Sequence, residues 1–180
     1  SAVKRAGTVR REMGIRTLFK LLGPLTNPAG AKRQVMGVFH QDLTLLLAQV
    51  LQRLGSTHVM VVHGADGMDE VSFTGDTYVA ELKDGVITEY TLNPSQFGMQ
   101  QHDLKTIQVQ NAEESKAMVL DVLNGCLSNQ NQVAARDIVL LNSGAAIYVS
   151  GVADTLQSGI NKAREVIDSG LALAKLNALK

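Results

Sequence analysis

"QVMGVFHQDLTLLLAQVLQRLGSTHVMVVHG", residues 34–64, decides the fold class. QVMGVF (34–39) is a short apolar run of strand length, and HVMVVHG (58–64) is a second, rich in β-branched valine. Between them a helix is expected from about Asp42, with Leu43, Leu46, Leu47, Val50, Leu51 and Leu54 recurring at helical spacing and Gly55 ending it. Strand, helix and strand within about 30 residues form a β-α-β unit, which implies parallel strands and a right-handed crossover. Ligands in such sheets bind beyond the carboxyl ends of the strands. The stretch that follows His63 lies at such an end.

That stretch is VVHGADGMDEVS (61–72), where the apolar run breaks at Gly64 and Asp66, Asp69 and Glu70 follow closely. It does not fit an EF-hand, which needs a D-x-[DN]-x-[DN]-G loop and a later glutamate. Magnesium asks for less: one or two carboxylates, several waters and phosphate oxygens. Asp69 and Glu70 are adjacent, so on an extended backbone they point apart. They suit one or two ions that a polyphosphate also holds. From pattern alone a solvated turn is the commoner outcome, because loop carboxylates are usually solvated.

Further along, TYVAELKDGVITEYTL (77–92) carries a hairpin signature, with Asp84 and Gly85 as residues that tolerate positive φ. The chain then turns helical. A helix opens at Asn111 with Glu114 three residues on and closes at Gly125. Residues 132–151 are apolar nearly all round, as in a buried helix. The next helix starts at an Asp154–Gln157 capping pair and buries Leu156, Ile160, Ala163 and Ile167, and a short one covers 171–179. The class is α/β. Two parallel strands and one hairpin are few for an open sheet, so further sequence upstream of Ser1 is expected.

Upstream of the β-α-β unit the chain is basic. A helix is expected from Ala2 to about Met13, a shorter one over RTLFKLLG, and a loop over GPLTNPAGAKR (23–33). Residues 1–33 hold Lys4, Arg5, Arg10, Arg11, Arg16, Lys20, Lys32 and Arg33 against Glu12 alone, a charge of +7 in a chain of net charge zero. Such asymmetry suggests that this end meets an anion, and a solvated helix face is the alternative.

Hydrophobic residues make up 45% and charged residues 19%, ordinary for a soluble globular protein. No uninterrupted apolar run approaches the roughly 18 residues of a membrane span, and the N-terminal stretch has no secretory h-region. The single cysteine, Cys126, favours a reducing, cytoplasmic setting. The four histidines show no zinc-ligand spacing. Neither G-x-x-x-x-G-K-[ST], G-x-G-x-x-G nor G-x-S-x-G occurs. Nucleic-acid binding by the basic segment lacks interleaved aromatics.

Three stretches together, VRREMGIRTLFKLLGPLTNPAG (9–30), VVHGADGMDEVS (61–72) and NSGAAIYVSG (142–151), resemble the anthranilate phosphoribosyltransferase family of tryptophan biosynthesis. The likeness runs along all 180 residues but covers only the C-terminal half or so of that family's usual chain. It implies a partly parallel sheet with flanking helices, the large domain of a class III phosphoribosyltransferase or nucleoside phosphorylase-like fold. The helical N-terminal domain and the glycine-rich phosphate loop would be absent from residues 1–180.

The resemblance further implies that Asp69 and Glu70 hold Mg2+ on the pyrophosphate of phosphoribosyl pyrophosphate (PRPP). Arg10 would contact the anthranilate carboxylate, and Gly23 would lie against the same substrate. The implied reaction joins the anthranilate amine to ribose C1, with a homodimer when full length and the fragment inactive alone. Lys20 departs from the family, which usually has asparagine there. A non-catalytic relative that binds nucleic acid through its basic segment is the alternative. A pyrimidine nucleoside phosphorylase is disfavoured by the GPLTNP loop.

Overall fold

The computed structural model describes residues 23–26 and 29–179. The basic helix expected over residues 2–13, RTLFKLLG before Gly23, and the residues Arg10 and Lys20 lie outside that range. Among the described residues, four strands form one sheet in the order β1-β2-β3-β4. β1 (Arg33–Gly37) pairs parallel with β2 (His58–Gly64). β3 (Thr77–Lys83) and β4 (Val86–Leu92) extend the sheet antiparallel. The β3–β4 turn has Asp84 at φ 51° and Gly85 at φ 80°, the left-handed pair that a two-residue hairpin turn requires.

Each face of the sheet is covered by helix, which is why β2 is apolar at consecutive positions rather than alternating. Val59 and Val61 face α1 (Leu43–Arg53), meeting Leu47, Ala48 and Leu51 together with Met36, Val38, Ala80 and Leu82. Met60 and Val62 face the other way, into a core with Val71, Phe73 and Val79 and the helices α2 (Ala112–Leu123), α3 (Gln130–Ser150) and α4 (Leu156–Asp168). α5 (Leu171–Asn177) packs on α4.

The leucine pattern of α1 is wider than its buried seam. Thr44, Leu47, Ala48 and Leu51 are buried, whereas Leu46 and Leu54 are each 52% exposed. The N-cap of α4 also differs from the expected Asp154–Gln157 pair. Thr155 is the cap, and Thr155 and Ser158 satisfy each other's backbone N–H groups one residue later. The Asn111 cap of α2 is as expected, with its side chain accepting from the Glu114 N–H.

By length and composition, α3 could cross a membrane. Here Arg136 and Asp137 interrupt its apolar surface, and it packs along β1, β2, α2 and α4. It crosses α4 where Gly144 meets Gly159. A Cβ on Gly144 would come within 2.8 Å of the Ile160 backbone nitrogen, so only glycine allows this approach.

The far end of α3 is tied to the sheet by a polar cluster. His58 Nε2 meets Glu81 Oε1 at 2.7 Å, the Tyr90 hydroxyl donates to Glu81 Oε2 at 2.7 Å, and Tyr148 of α3 stands edge-on to His58. Burial would raise the Glu81 carboxyl, but hydrogen bonding from Tyr148, Tyr90 and His58 outweighs it and holds it below the ordinary 4.5. A depressed carboxylate contributes stability that is fully present above the unfolded value and lost as pH falls through the folded one. Glu81→Gln is therefore expected to destabilise the protein by about 1–3 kcal/mol at pH 7 and by less below pH 4.5. Thermal unfolding followed from pH 7 to pH 3 would show the two curves converging; parallel curves would contradict this assignment.

Candidate functional site

The connection from β2 to β3, residues 65–76, begins at the carboxyl end of β2 and contains all three expected acids. Its backbone folds tightly on itself. The Gly64 N–H donates to the Met68 carbonyl (2.8 Å), the Gly67 N–H to Gly64 (2.9 Å) and the Ala65 N–H to Asp76 (2.8 Å). Gly67 has φ 90°, and a Cβ on Gly64 would sit 2.5 Å from the Asp66 carboxylate. The glycines are thus required by the turn, one for its dihedral angle and one for space.

The three acids have different surroundings. Asp66 is spent within the loop. Its Oδ1 accepts from the Met68 N–H (2.9 Å), and its Oδ2 accepts from the hydroxyls of Ser72 (2.7 Å) and Thr74 (2.7 Å). Burial opposes its ionisation, yet these bonds win and hold the carboxyl below its ordinary value. Asp66 is a structural clasp. Ser72, which belongs to no nucleophile elbow, is part of the same clasp.

Asp69 and Glu70 follow on the rim. Burial, and then the negative charge of Asp69, push the Glu70 carboxyl above its ordinary value. An acid whose ionisation is opposed by burial and by a neighbouring carboxylate belongs to a donor set that a divalent cation relieves. Among the described residues no group of three or more His, Cys, Asp or Glu side chains could hold a metal. Two carboxylates without a third protein acid suit magnesium, which keeps waters and takes phosphate oxygens for its remaining positions. The residues present therefore fit the ion.

Beneath the pair lies the end of β1. A Cβ on Gly37 would fall on the carbonyl of Asp69, so the strand and the turn approach backbone to backbone. Gly37 is a support that periodicity could not reveal, because the contact is made only once β1 and β2 have paired. The β1-β2 pairing itself, read from the two apolar runs, is what brings Gly37 there.

Other expected site residues are placed differently. Gly23 is exposed, and among the described residues no atom would come within 4 Å of an added Cβ. Pro24 and Leu25, just after it, line a hollow with Leu51, Leu54 and Ser56 beside the start of β1. Asp69 and Glu70 lie at the opposite ends of the strands, and the described residues do not bring Gly23 to them. Arg10 lies outside the described residues. Of the basic N-terminal set, Lys32 donates to the Leu54 carbonyl (3.2 Å) and Arg33 to the Val149 carbonyl (2.9 Å). Both cations cap helix C-termini, where the dipole favours them.

The model of the glycosyl transferase family, a/b domain, matches residues 1–173. The chain belongs to this family. Among curated members, the anthranilate phosphoribosyltransferase of Methylobacillus flagellatus is 62% identical over 180 residues, covering 100% of this chain and 51% of that protein. The enzyme of the same name from Thiobacillus denitrificans is 55% identical over 178 residues, 99% of this chain and 50% of that protein. The chain spans about half the length of the curated relatives it matches.

Solved structures agree on the fold of this family member. The anthranilate phosphoribosyltransferase of Thermus thermophilus superposes with a TM-score of 0.84 at 37% identity, covering 98% of this chain and 51% of that one. The Saccharomyces cerevisiae enzyme in complex with PRPP and Mg gives 0.80 at 28% identity, covering 96% and 48%. The α/β class and the partly parallel sheet with flanking helices are thus those of the phosphoribosyltransferase structures.

Proposed function

We propose that the complete protein transfers the phosphoribosyl group of PRPP to the amine of anthranilate, giving N-(5-phosphoribosyl)anthranilate and pyrophosphate. The observation that carries this reading is the acid pair Asp69–Glu70, seated beyond the carboxyl end of β2 on the Gly37 floor while Asp66 is withdrawn into the loop. The high identity to curated anthranilate phosphoribosyltransferases supports it, as does the yeast relative with PRPP and Mg.

Asp69 and Glu70 would hold Mg2+ there. Bound magnesium neutralises the charge that develops on the departing pyrophosphate. A C–N bond forms at ribose C1 as the C–O bond to pyrophosphate breaks, and the amine gives up a proton. The protein's part is to place and orient the reactants and to keep the acids where phosphate oxygens complete the coordination.

Arg10 and Gly23 we assign to anthranilate: a guanidinium fork matches a carboxylate, and a glycine admits a ring closely. We infer that residues 1–180 form the C-terminal part of the α/β domain. The helical domain, the glycine-rich phosphate loop and a homodimer interface would be supplied by the rest of the protein. A cytoplasmic setting is consistent with the single cysteine.

The test uses the complete protein. Anthranilate fluorescence is followed after PRPP is added, with and without magnesium. Loss of fluorescence that needs both PRPP and magnesium is expected. A folded protein that consumes no anthranilate would overturn the assignment.

A further inference from the structure

The acid turn is held from inside by Asp66, but its outgoing leg is held from elsewhere in the chain. Asn142, in the middle of α3, makes a two-point contact with the backbone of Val71. Its Oδ1 accepts from the Val71 N–H at 2.9 Å, and its Nδ2 donates to the Val71 carbonyl at 2.9 Å. Nδ2 also donates to the Ile138 carbonyl one turn back on α3, at 3.1 Å. The side-chain amide thus behaves as a one-residue strand edge, pairing with both backbone groups of Val71 as a neighbouring strand would. Only this orientation of the amide satisfies both bonds, since its reversal would set donor against donor and acceptor against acceptor.

Val71 directly follows Glu70, and its own side chain is buried in the core beside Phe73. A second tie from α3 supports the same leg. Asp137 meets the buried His102 at 2.8 Å, and the His102 backbone N–H donates to the Phe73 carbonyl at 3.1 Å. The acid pair is therefore strung between two anchors, the Asp66 clasp with its Gly37 floor before it and the α3 amide after it. Neither acid of the turn belongs to α3, so the helix acts on the site through Val71.

We propose that Asn142 is a positioning residue for the metal-holding acid turn, fixing the direction of Asp69 and Glu70 by clamping the backbone of Val71. The inference rests on the magnesium reading above and deepens it. A side chain that only filled the core could be replaced by an apolar residue of similar size without touching the metal. A clamp could not, because the two backbone groups of Val71 would be released and the acids would lose their fixed aim.

The experiment compares Asn142→Ala with the unaltered complete enzyme. The magnesium concentration for half-maximal activity is expected to rise about tenfold, the lower end of what losing a group that orients metal ligands costs, with the anthranilate KM within about twofold. Hydrogen–deuterium exchange of the peptide covering residues 65–74 should quicken, while peptides from β3 and β4 exchange as before. Asn142→Gln keeps the amide on a longer arm and covers the case in which the alanine variant fails to fold; a smaller shift in the same direction is expected.

An unchanged magnesium response with unchanged exchange in a folded variant overturns the inference alone. So does an equal rise in the magnesium requirement and in the anthranilate KM, which would mark Asn142 as merely structural. If the unaltered enzyme shows no magnesium-dependent turnover, the functional reading itself fails and the metal role of Asn142 fails with it.

Discussion

Asp69→Asn combined with Glu70→Gln, made in the complete protein, removes magnesium-dependent turnover. The two carboxylates are the oxygen donors that the turn offers to an ion, and neutral amides are poor ligands for a hard cation. If the ion supplies about 4 kcal/mol to the departing pyrophosphate, its loss costs roughly 10³-fold in rate. The fold should survive, because the double change leaves in place the bonds of Asp66 to Met68, Ser72 and Thr74 and those of Asn142 to Val71. A steady-state assay beside a circular dichroism spectrum checks both halves. Turnover like that of the unaltered enzyme from a folded double variant would leave the acid pair as a solvated turn.

Gly37→Ala is expected to be nearly as damaging, although the residue offers no chemistry. The added methyl would fall on the Asp69 carbonyl, and the three atoms nearest to it are all Asp69 backbone, so no flexible side chain can give way. Overpacking of this kind costs about 1–3 kcal/mol of stability, sometimes more. The turn is on the surface while β1 is paired along its length with β2, so the turn yields first. A displacement of about 1 Å at positioned groups costs on the order of 10²-fold in rate. We therefore expect kcat/KM to fall by roughly 10²-fold with a modest loss in melting temperature. An alanine variant that keeps full activity would show that the position of Asp69 is unimportant.

These two substitutions also mark what the sequence could and could not disclose. The β-α-β unit was legible because apolar strands and a leucine helix have different periods, and the hairpin because Asp84-Gly85 meets a specific dihedral need. The acid pair was legible as residue types after a strand end. Its supports were not. Gly37 reads as an ordinary glycine in a strand until β1 and β2 pair, and Asn142 lies 71 residues from the Val71 it clamps. Nothing in the local pattern separates Asp66 from the two acids after it, because its three partners are supplied by a turn that composition does not specify.

The same distinction explains the smaller differences. Leu46 and Leu54 have the spacing of a buried stripe, but the helix buries the narrower seam of Thr44, Leu47, Ala48 and Leu51 instead. Thr155 displaced Asp154 as a helix cap because Ser158 stood at the right distance to reciprocate. Lys32 and Arg33 count toward the basic segment by composition, and in the fold each donates to a carbonyl at the C-terminal end of a helix. Charge counts carry no record of which carbonyl a cation will meet.

The central claim is that Asp69 and Glu70 hold a divalent ion together with the pyrophosphate of PRPP. It is tested most directly by electron paramagnetic resonance of Mn2+, standing in for Mg2+, with the complete protein. The account predicts that PRPP drives Mn2+ into a bound signal with the unaltered protein, and that the Asp69→Asn, Glu70→Gln variant leaves the ion free at the same concentrations. Equal binding of Mn2+ and PRPP by the folded double variant would contradict it.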